Sequence, residues 1–325
     1  MIVTFEERCW SLEDDNWRRS LTEVLVLLTM RQQHTVLANP TAMLNWCTEH
    51  LRLYVDYFRT RLATGYSRTN ALKINISPTG ASAVIGDPPW DITAEAAREL
   101  INRPLRLVLE NDQSDRTFIE SAVPVFSRWS SNGWISPAMG GGSAMENDIA
   151  LTSGDLAAKW RTFYLFDSDR LHPSELAAGW TPPNGDGCQG HKFEIACGSL
   201  PRGRWHRLER RSIENYLPQT VLNNVNPAAT STLFGTSVGS MAHFYNIKRG
   251  LSGDGVSPIN PNKAIRANRC QGFWTSLPAA EIASLETGFG ANVFDEFRNV
   301  PNAHAWTADI LREMDALTEA LKDAI

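Results

Sequence analysis

The chain has 325 residues, of which 42% are hydrophobic and 21% charged, and its formal net charge is −5. That length allows two modest domains, or one α/β domain with helical additions. No apolar run approaches the roughly 18 residues of a membrane span, so no membrane association is expected. The negative charge argues against a surface that binds nucleic acid everywhere, although five arginines lie close together at 202–211.

Cysteine usage and the N-terminus indicate the compartment. The five cysteines are an odd number without a CxxC pair, which favours reduced thiols over a disulfide framework. The opening sequence MIVTFEERCW becomes acidic soon after its first apolar residues, so a secretory signal is not expected. Both observations predict a cytoplasmic protein.

Residues 1–100 are predicted to be a mainly helical N-terminal region. Ser11 is a candidate N-cap for a first helix with acidic residues in its first turn. Pro40 opens a second helix with apolar residues near helical spacing. Residues 72–86 (LKINISPTGASAVIG) predict a short β-hairpin around a Pro-Thr-Gly turn.

From residue 104 the pattern becomes an alternation of strands and helices. The predicted strands lie in LRLVLE, WISPAM, TFYLFDSD and RWHRLE. A helix is predicted after the first of them, with Pro124 bending or ending it. This alternation predicts a parallel sheet with right-handed crossovers within residues 101–257. Residues 258–325 are predicted to be a helical C-terminal extension that ends in TADILREMDALTEALKDAI.

Acidic residues follow two of the predicted strands where each strand ends. Glu110 ends the first and Asp115 begins the next helix, while Asp167 and Asp169 alternate in YLFDSD. Alternate residues of an extended segment point to one side, and neighbouring strands lie about 4.8 Å apart, so the two clusters can meet. Carboxylates that close repel each other unless cations bind between them. Each cluster taken alone is more typical of an acidic helix cap or a solvated turn than of a metal site.

Mg²⁺ is the cation that such a cluster favours, with Mn²⁺ as a substitute, because it is a hard ion that takes carboxylate oxygens. Two such ions about 4 Å apart can stabilise the attacking and leaving oxygens of a phosphodiester displacement. A third element, WHRLERRSIENYLP, places Glu214 one turn into a predicted helix, where it can join the acids. Arg210 and Arg211 precede it and can face phosphate. The alternative is an ordinary helix N-terminus with a surface arginine pair.

With these three elements in order, residues 105–250 resemble the TOPRIM domains of OLD-family nucleases and of stand-alone phage-defence effectors. The family shows an apolar strand that ends in glutamate with an aspartate a few residues on, here LVLENDQSD, and a later DxD, here FDSD. The OLD-like branch adds an arginine-rich stretch before I-E-N-Y-L, here LERRSIENYL. The resemblance implies an α/β fold with a TOPRIM (Rossmann-like) parallel sheet of about four strands flanked by helices. It also implies a Mg²⁺-dependent endonuclease that acts on DNA or RNA.

The resemblance implies roles for individual residues. The implied metal ligands are all carboxylates: Glu110, Asp115, Asp167, Asp169 and Glu214. Glu110 also has an implied acid–base role, and Lys248 in HFYNIKRG is the implied phosphate contact, with Arg211 as a second cation. The chain departs from the family at Asn111, which replaces the usual glycine. The Glu110–Asp115 spacing is one residue longer than the commonest, so Asp112 is an alternative ligand.

OLD proteins carry an ABC-type ATPase on the same chain, whereas this sequence has no G-x-x-x-x-G-K-[ST]. The resemblance therefore implies either action alone or control by a separate ATPase, as in bacterial toxins held in check until phage infection. The expected partners are a nucleic-acid substrate and such an ATPase, and a homo-oligomer stays open.

Two other functions fit part of the sequence. FYLFDSD also resembles the strand and DxD of haloacid-dehalogenase-type phosphatases, in which Asp167 would be the nucleophile. Arg170 and Leu171 stand where that family usually has Gly-Thr or Val-Thr, and Glu110 and Glu214 would have no role. A catalytically silent TOPRIM sheet that serves as a docking module is the second alternative.

Overall fold

The computed structural model describes residues 1–63, 70–183, 187–254, 269, 272–300 and 306–325. Within these residues the protein is α/β, and eight strands form two four-stranded sheets in which every strand pair is parallel. Helices flank both sheets, and each sheet has its own buried core. The predicted α/β class and the parallel sheet of about four strands are confirmed. No helix in the described part is both long and apolar enough to cross a membrane.

The first sheet lies in the N-terminal region and has the strand order β2-β1-β3-β4. Its strands are β1 (Ile2–Phe5), β2 (Thr35–Leu37), β3 (Lys73–Ala81) and β4 (Trp90–Ile92). Its helices are α1 (Asp15–Met30), α2 (Pro40–His50), α3 (Val55–Ala63) and α4 (Ala94–Asn102). Helix α1 is capped by Asp14, whose side chain accepts from the Trp17 N–H, and not by Ser11 as the sequence suggested.

The predicted hairpin at 72–86 is wrong, because β3 is one strand with parallel neighbours on both sides. The Pro-Thr-Gly stretch does not turn the chain. It forms an irregularity at which the pairing with β4 shifts register, so that both Ile76 and Ala81 pair with Ile92. Gly80 lies so close to β4 that a Cβ there would be 2.5 Å from the Ile92 carbonyl carbon. The mainly helical prediction for this region also missed β1 and β2.

The second sheet has the order β6-β5-β7-β8. Its strands are β5 (Leu105–Leu109), β6 (Ile135–Met139), β7 (Thr162–Phe166) and β8 (Trp205–Arg207). The helices between them are α5 (Asp112–Ala122), α6 (Phe126–Ser131), α7 (Ser143–Gly154), α8 (Leu156–Trp160) and α9 (Gln189–Cys197). Pro124 lies in the break between α5 and α6, as predicted. Alternate residues of β7 enter two cores, Phe163 on one face and Tyr164 on the other, so this sheet is buried on both sides.

The C-terminal part of the chain completes the core of the second sheet. It contains α10 (Gln219–Val225), α11 (Pro227–Leu233), α12 (Gly250–Asp254), α13 (Ala279–Ser284) and α14 (Ala308–Ala324). Helix α14 buries Met314 and Leu317 in the core that contains β5 and β7. Its Glu313 accepts a hydrogen bond from the Tyr216 hydroxyl at 2.7 Å. The predicted helical extension is therefore an integral layer of this α/β unit.

The strand order places a ligand-binding crevice at one position in each sheet. From β5 the chain crosses to β6 on one side and then returns to β7 on the other. Such a switch point opens a crevice at the carboxyl ends of the two central strands, where α/β sheets bind ligands. In the first sheet the buried Cys9 donates to the Ile76 carbonyl at the corresponding position between β1 and β3. At the switch point of the second sheet, the carboxyl ends of the central strands are followed by acidic residues.

Candidate metal centre

Glu110 and Asp167 lie side by side at the switch point of the second sheet. Each follows the last residue of its strand, and β5 and β7 pair directly, with Leu109 opposite Leu165. The Asp167 N–H donates to Glu110 Oε1 at 2.8 Å. The two predicted acid clusters therefore meet across adjacent strands.

Asp115 joins them from the first turn of α5. Its Oδ2 accepts from the Asn111 N–H at 2.9 Å and its Oδ1 from the Ser114 hydroxyl at 3.0 Å. Asp115 is buried, whereas Asp112 is exposed on the same turn. Of the two acids that the sequence left open, Asp115 is therefore the one beside Glu110.

Asp169 reaches the same edge with a different backbone geometry from the one expected. Its φ is 52°, so the extended run ends before it and the alternation argument does not apply. Its N–H donates to the Arg211 carbonyl at 3.0 Å, and its Oδ2 accepts from the Gly190 N–H at 3.1 Å. A Cβ at Gly190 would lie 2.4 Å from the carbonyl oxygens of Asp167 and Ser168. Only glycine therefore lets α9 approach this loop so closely.

Glu214 enters the site from a 3-10 helix, Ile213–Tyr216. It lies in the first turn of this helix, whereas the sequence predicted it one turn further in. The residue is fully buried, and its Oε2 accepts from the Ser212 hydroxyl at 2.8 Å. Its Oε1 lies 2.9 Å from Lys248 Nζ. The Ile213 N–H donates to Asp167 Oδ1 at 3.0 Å, which ties this segment to the end of β7.

The arginine pair predicted to face phosphate has structural partners. Arg211 is buried and forms an ion pair with the buried Asp254, with Nη2 and Oδ1 2.6 Å apart. Arg210 pairs with Asp309 at 2.7 Å and donates to the Asn215 carbonyl at 2.6 Å. These contacts hold the segment that carries Glu214. Arg211 also lines a cavity of about 300 Å³ beside Asp169. A contact of Arg211 with phosphate stays a prediction.

Burial and mutual repulsion shift the ionisation of these acids. Burial raises the pKa of Glu110 to about 8, and repulsion from Asp169 and Asp115 adds to that rise. Burial likewise raises the pKa of Asp115 to about 6. The pKa of Asp167 is raised well above its usual value by burial and then by repulsion from Glu110. The acids therefore form one electrostatically coupled group.

Lys248 is the cation in contact with this group. Its side chain is 37% exposed, so it contacts both the acids and solvent. Burial alone would lower the pKa of Lys248, but attraction to Glu214 outweighs it, and the pKa is raised. The lysine therefore stays protonated near neutral pH. Within the described ranges the Lys248 ammonium group faces several carboxylates, so the acids are only partly neutralised.

The carboxylate side chains suit a hard divalent cation as ligands. Their oxygen atoms are not, however, arranged in a complete coordination shell. Across the described ranges, no three histidine, cysteine, aspartate or glutamate side chains already surround a common point as metal ligands do. Glu110 Oε2 and Asp167 Oδ2 have no hydrogen-bond partner within the same ranges. Carboxylate oxygens are the ligands that Mg²⁺ and Mn²⁺ take. A cation here would also offset the repulsion that raises the pKa values.

Searches of protein-family models, of curated proteins and of solved structures found no match to this chain. The fold class and the geometry of the acid group therefore come from the structure alone. The resemblance to TOPRIM domains is a resemblance of sequence pattern only.

Sequence reasoning missed several residues that shape this site. Gly190 had a local signal, since a glycine in the first turn of a helix is unfavourable unless something lies close to it. Asp254 had none, because its pairing with Arg211 joins residues far apart in the chain. Ser212 precedes I-E-N-Y as a capping residue, and its hydroxyl also holds Glu214.

The raised pKa values predict that the metal-free protein loses stability as pH rises from about 4.5 to about 8. The folded-state pKa of Glu110, about 8, exceeds its ordinary value of 4.5, so in this window the folded protein holds a proton that the unfolded chain has released. Thermal melting in EDTA at pH 6.0 and pH 8.5 measures the effect. The Glu110→Gln variant should show a smaller loss, and Mg²⁺ or Mn²⁺ should raise the wild-type melting temperature more at pH 8.5. If the melting temperature of the variant depends on pH as strongly as that of the wild type, the raised pKa of Glu110 is contradicted.

Proposed function

We propose that the protein is a Mg²⁺- or Mn²⁺-dependent endonuclease that hydrolyses phosphodiester bonds of DNA or RNA. The observation that carries the proposal is the contact of Glu110 with Asp167 across adjacent strand ends of a parallel sheet. Glu214 and Lys248 reach the same position from separate segments. The order of the acids along the chain is the order in the TOPRIM nucleases that the sequence resembles.

The residues that would hold the cation are the carboxylates of the switch point, namely Glu110, Asp115, Asp167, Asp169 and Glu214. When bound, a divalent cation supplies Lewis-acid stabilisation of the phosphate and lowers the pKa of a coordinated water. Glu110 Oε2 has no hydrogen-bond partner in the described part of the chain and can take or return a proton. Lys248 offsets charge on the non-bridging phosphate oxygens from its half-exposed position.

We also propose a cytoplasmic role as an anti-phage effector, a toxin controlled by a separate ABC-type ATPase. This part rests on the resemblance to stand-alone TOPRIM effectors. The cysteines of the described ranges, Cys9, Cys47, Cys188 and Cys197, are buried free thiols, which suits a reducing compartment, and Cys270 lies outside those ranges.

The test of the activity is incubation of the purified protein with plasmid DNA, single-stranded DNA and structured RNA. Mg²⁺, Mn²⁺ and EDTA are compared, with and without a co-expressed neighbouring ATPase. The proposal expects metal-dependent cutting of at least one polymer, abolished by EDTA. No cutting of any polymer under any of these conditions would favour a silent docking module. A hydroxylamine-labile phosphoenzyme at Asp167 would instead favour the phosphatase alternative, which leaves Glu110 and Glu214 without a role.

Replacing Lys248 with methionine is expected to lower the cleavage rate by about 10²-fold, because charge on the phosphate oxygens loses a fixed cation. Lys248→Arg should recover part of the rate, since it restores the charge. Lys159→Met is the matched control, because Lys159 pairs with Asp87 outside the acid group. Single-turnover cleavage at saturating metal measures all three. An unchanged rate in Lys248→Met would exclude this lysine from the site.

A further inference from the structure

A second cavity lies where the amino ends of the two sheets contact each other, away from the carboxyl ends that carry the acids. Arg31, which precedes β2, donates to the carbonyl of Gly133, which precedes β6, at 2.9 Å. Arg204, which precedes β8, donates to the carbonyl of Asn70, which precedes β3, at 3.2 Å. These hydrogen bonds hold the two amino edges together. The cavity between them has a volume of about 600 Å³, within the usual range for small-molecule sites.

The cavity combines aromatic, cationic and amide side chains, chiefly Gln33, Arg61, Arg128, Trp129, Trp134 and Lys322. Gln33 and Arg61 come from the first-sheet region, and Trp129 and Trp134 from the second. Trp129 is buried, while Trp134 is only partly buried at the cavity wall. An occupant would therefore contact both halves of the chain.

The side-chain amide of Gln33 is the feature that points to a ligand. The residue is 4% exposed, and its Oε1 has no hydrogen-bond partner. Its Nε2 lies 3.2 Å from His34 Nε2, which in turn lies 3.1 Å from the Ile101 carbonyl. Because a carbonyl only accepts, His34 Nε2 carries the proton and cannot accept one from Gln33. Whichever way the amide is assigned, one polar atom of this buried side chain has no hydrogen-bond partner.

Two buried arginines lie near the cavity. Arg161 and Arg204 are fully buried. Burial lowers the pKa of Arg204 to about 10, and attraction to Asp323 opposes that shift. Arg161 donates to oxygens of Ala324, Ile325 and Arg103. Burial lowers the pKa of Arg161 to about 9, and repulsion from nearby arginines adds to this.

Two acids, Glu319 and Asp323, also line the cavity. Glu319 is engaged by Lys322, and Asp323 accepts from the Asn70 N–H at 3.3 Å. Arg128 is exposed on α6 and has no ion-pair partner among the described residues. It is thus the cation best placed to meet an anion that enters from solvent.

We propose that this junction cavity binds a nucleoside phosphate, with the base against Trp134, its polar edge near Gln33 and its phosphate at Arg128. Tryptophan faces are tolerant stacking surfaces for any base. A guanidinium matches the oxygens of phosphate in geometry and charge. The ligand is either a free mononucleotide or the terminal nucleotide of a strand. The proposal does not depend on nuclease activity.

Calorimetric titration of the full chain in EDTA tests the site, since divalent metal is then absent from the acid group. The probes are AMP, GMP, adenosine, inorganic phosphate and a 5′-phosphorylated tetranucleotide. At least one nucleotide is expected to bind, and adenosine and phosphate should each bind at least about tenfold more weakly. Arg128→Ala should weaken nucleotide binding by at least about tenfold, because the charged contact is lost from an exposed position that the fold does not need. Arg116→Ala, an exposed arginine paired with Glu120, should leave binding unchanged.

Two outcomes of the titration distinguish the sources of the ligand, and either outcome supports the proposal. Binding of AMP or GMP indicates a free nucleotide, and binding of the tetranucleotide alone indicates a strand end. The proposal is overturned if none of the nucleotides binds, if phosphate alone binds as tightly as AMP, or if Arg128→Ala binds nucleotide like the wild type. Trp134→Leu gives an independent check, since it should weaken AMP more than phosphate.

Discussion

Asp167→Asn is expected to reduce metal-dependent cleavage by about 10³-fold or more, because the carboxylate at the centre of the acid group loses its charge. Asp167 contacts Glu110 through its N–H and accepts from the Ile213 N–H through Oδ1. Asparagine keeps the shape and the accepting oxygen, so the fold should survive. Single-turnover cleavage at saturating Mg²⁺, with circular dichroism of the same samples, measures both properties.

The matched control is Asp112→Asn, which removes an exposed acid from the first turn of α5. Its cleavage rate should stay within about twofold of the wild type, since exposed charges contribute little. In EDTA, Asp167→Asn should melt at or above the wild-type temperature, because repulsion that raises the pKa of the wild-type carboxyl is removed. An Asp167→Asn protein that cuts normally would contradict the assignment of this residue.

The second large effect is expected at Gly190, where alanine should destabilise the fold by about 1–3 kcal/mol and also impair cleavage. In an ordinary helix the change would be stabilising by about 1 kcal/mol. Here the new Cβ would be 2.4 Å from the carbonyl oxygens of Asp167 and Ser168, which are main-chain atoms with little freedom to move. Since that loop carries Asp167 and Asp169, its displacement should disturb the acid group. Urea unfolding and cleavage kinetics test the two consequences together.

Gly154→Ala is the control for the glycine substitution. Gly154 ends α7, and a Cβ there would meet nothing within 4 Å. Its replacement should be neutral or slightly stabilising. A Gly190→Ala protein as stable as the Gly154→Ala protein would show that the close approach of α9 is not a constraint.

The second sheet was predictable because its central strands are short apolar runs buried on both faces. β5 and β7 have that composition, and both end in acids. Their adjacency makes Glu110 and Asp167 neighbours. The position of β6 on the far side of β5 has no local signal, because strand order is set by long-range packing.

The first sheet was not predictable to the same degree. β1 and β2 have four and three residues, too few to show a periodicity. In β3 the Pro-Thr-Gly stretch is typical of a turn, yet pairing with Ile92 keeps it in the strand as an irregularity. Tertiary pairing thus overrode the turn preference.

The geometry of some site residues is determined by contacts with residues far away in the sequence. Asp169 adopts a φ of 52°, held by the Arg211 carbonyl and the Gly190 N–H. Arg211, expected to face phosphate, pairs with Asp254. The local sequence does not show that Asp169 contacts Arg211 and Gly190, or that Arg211 pairs with Asp254. It did, however, identify the acids of the site.

Titration of Mn²⁺ into the protein at pH 8.0, followed by the electron paramagnetic resonance of the free ion, tests the metal site most directly. Saturable binding is expected for the wild type and for Asp112→Asn, with affinity lowered by at least about tenfold in Glu110→Gln and Asp167→Asn. If the wild type leaves all Mn²⁺ free, or if these two variants bind it as tightly, the carboxylates at the switch point do not form a metal site.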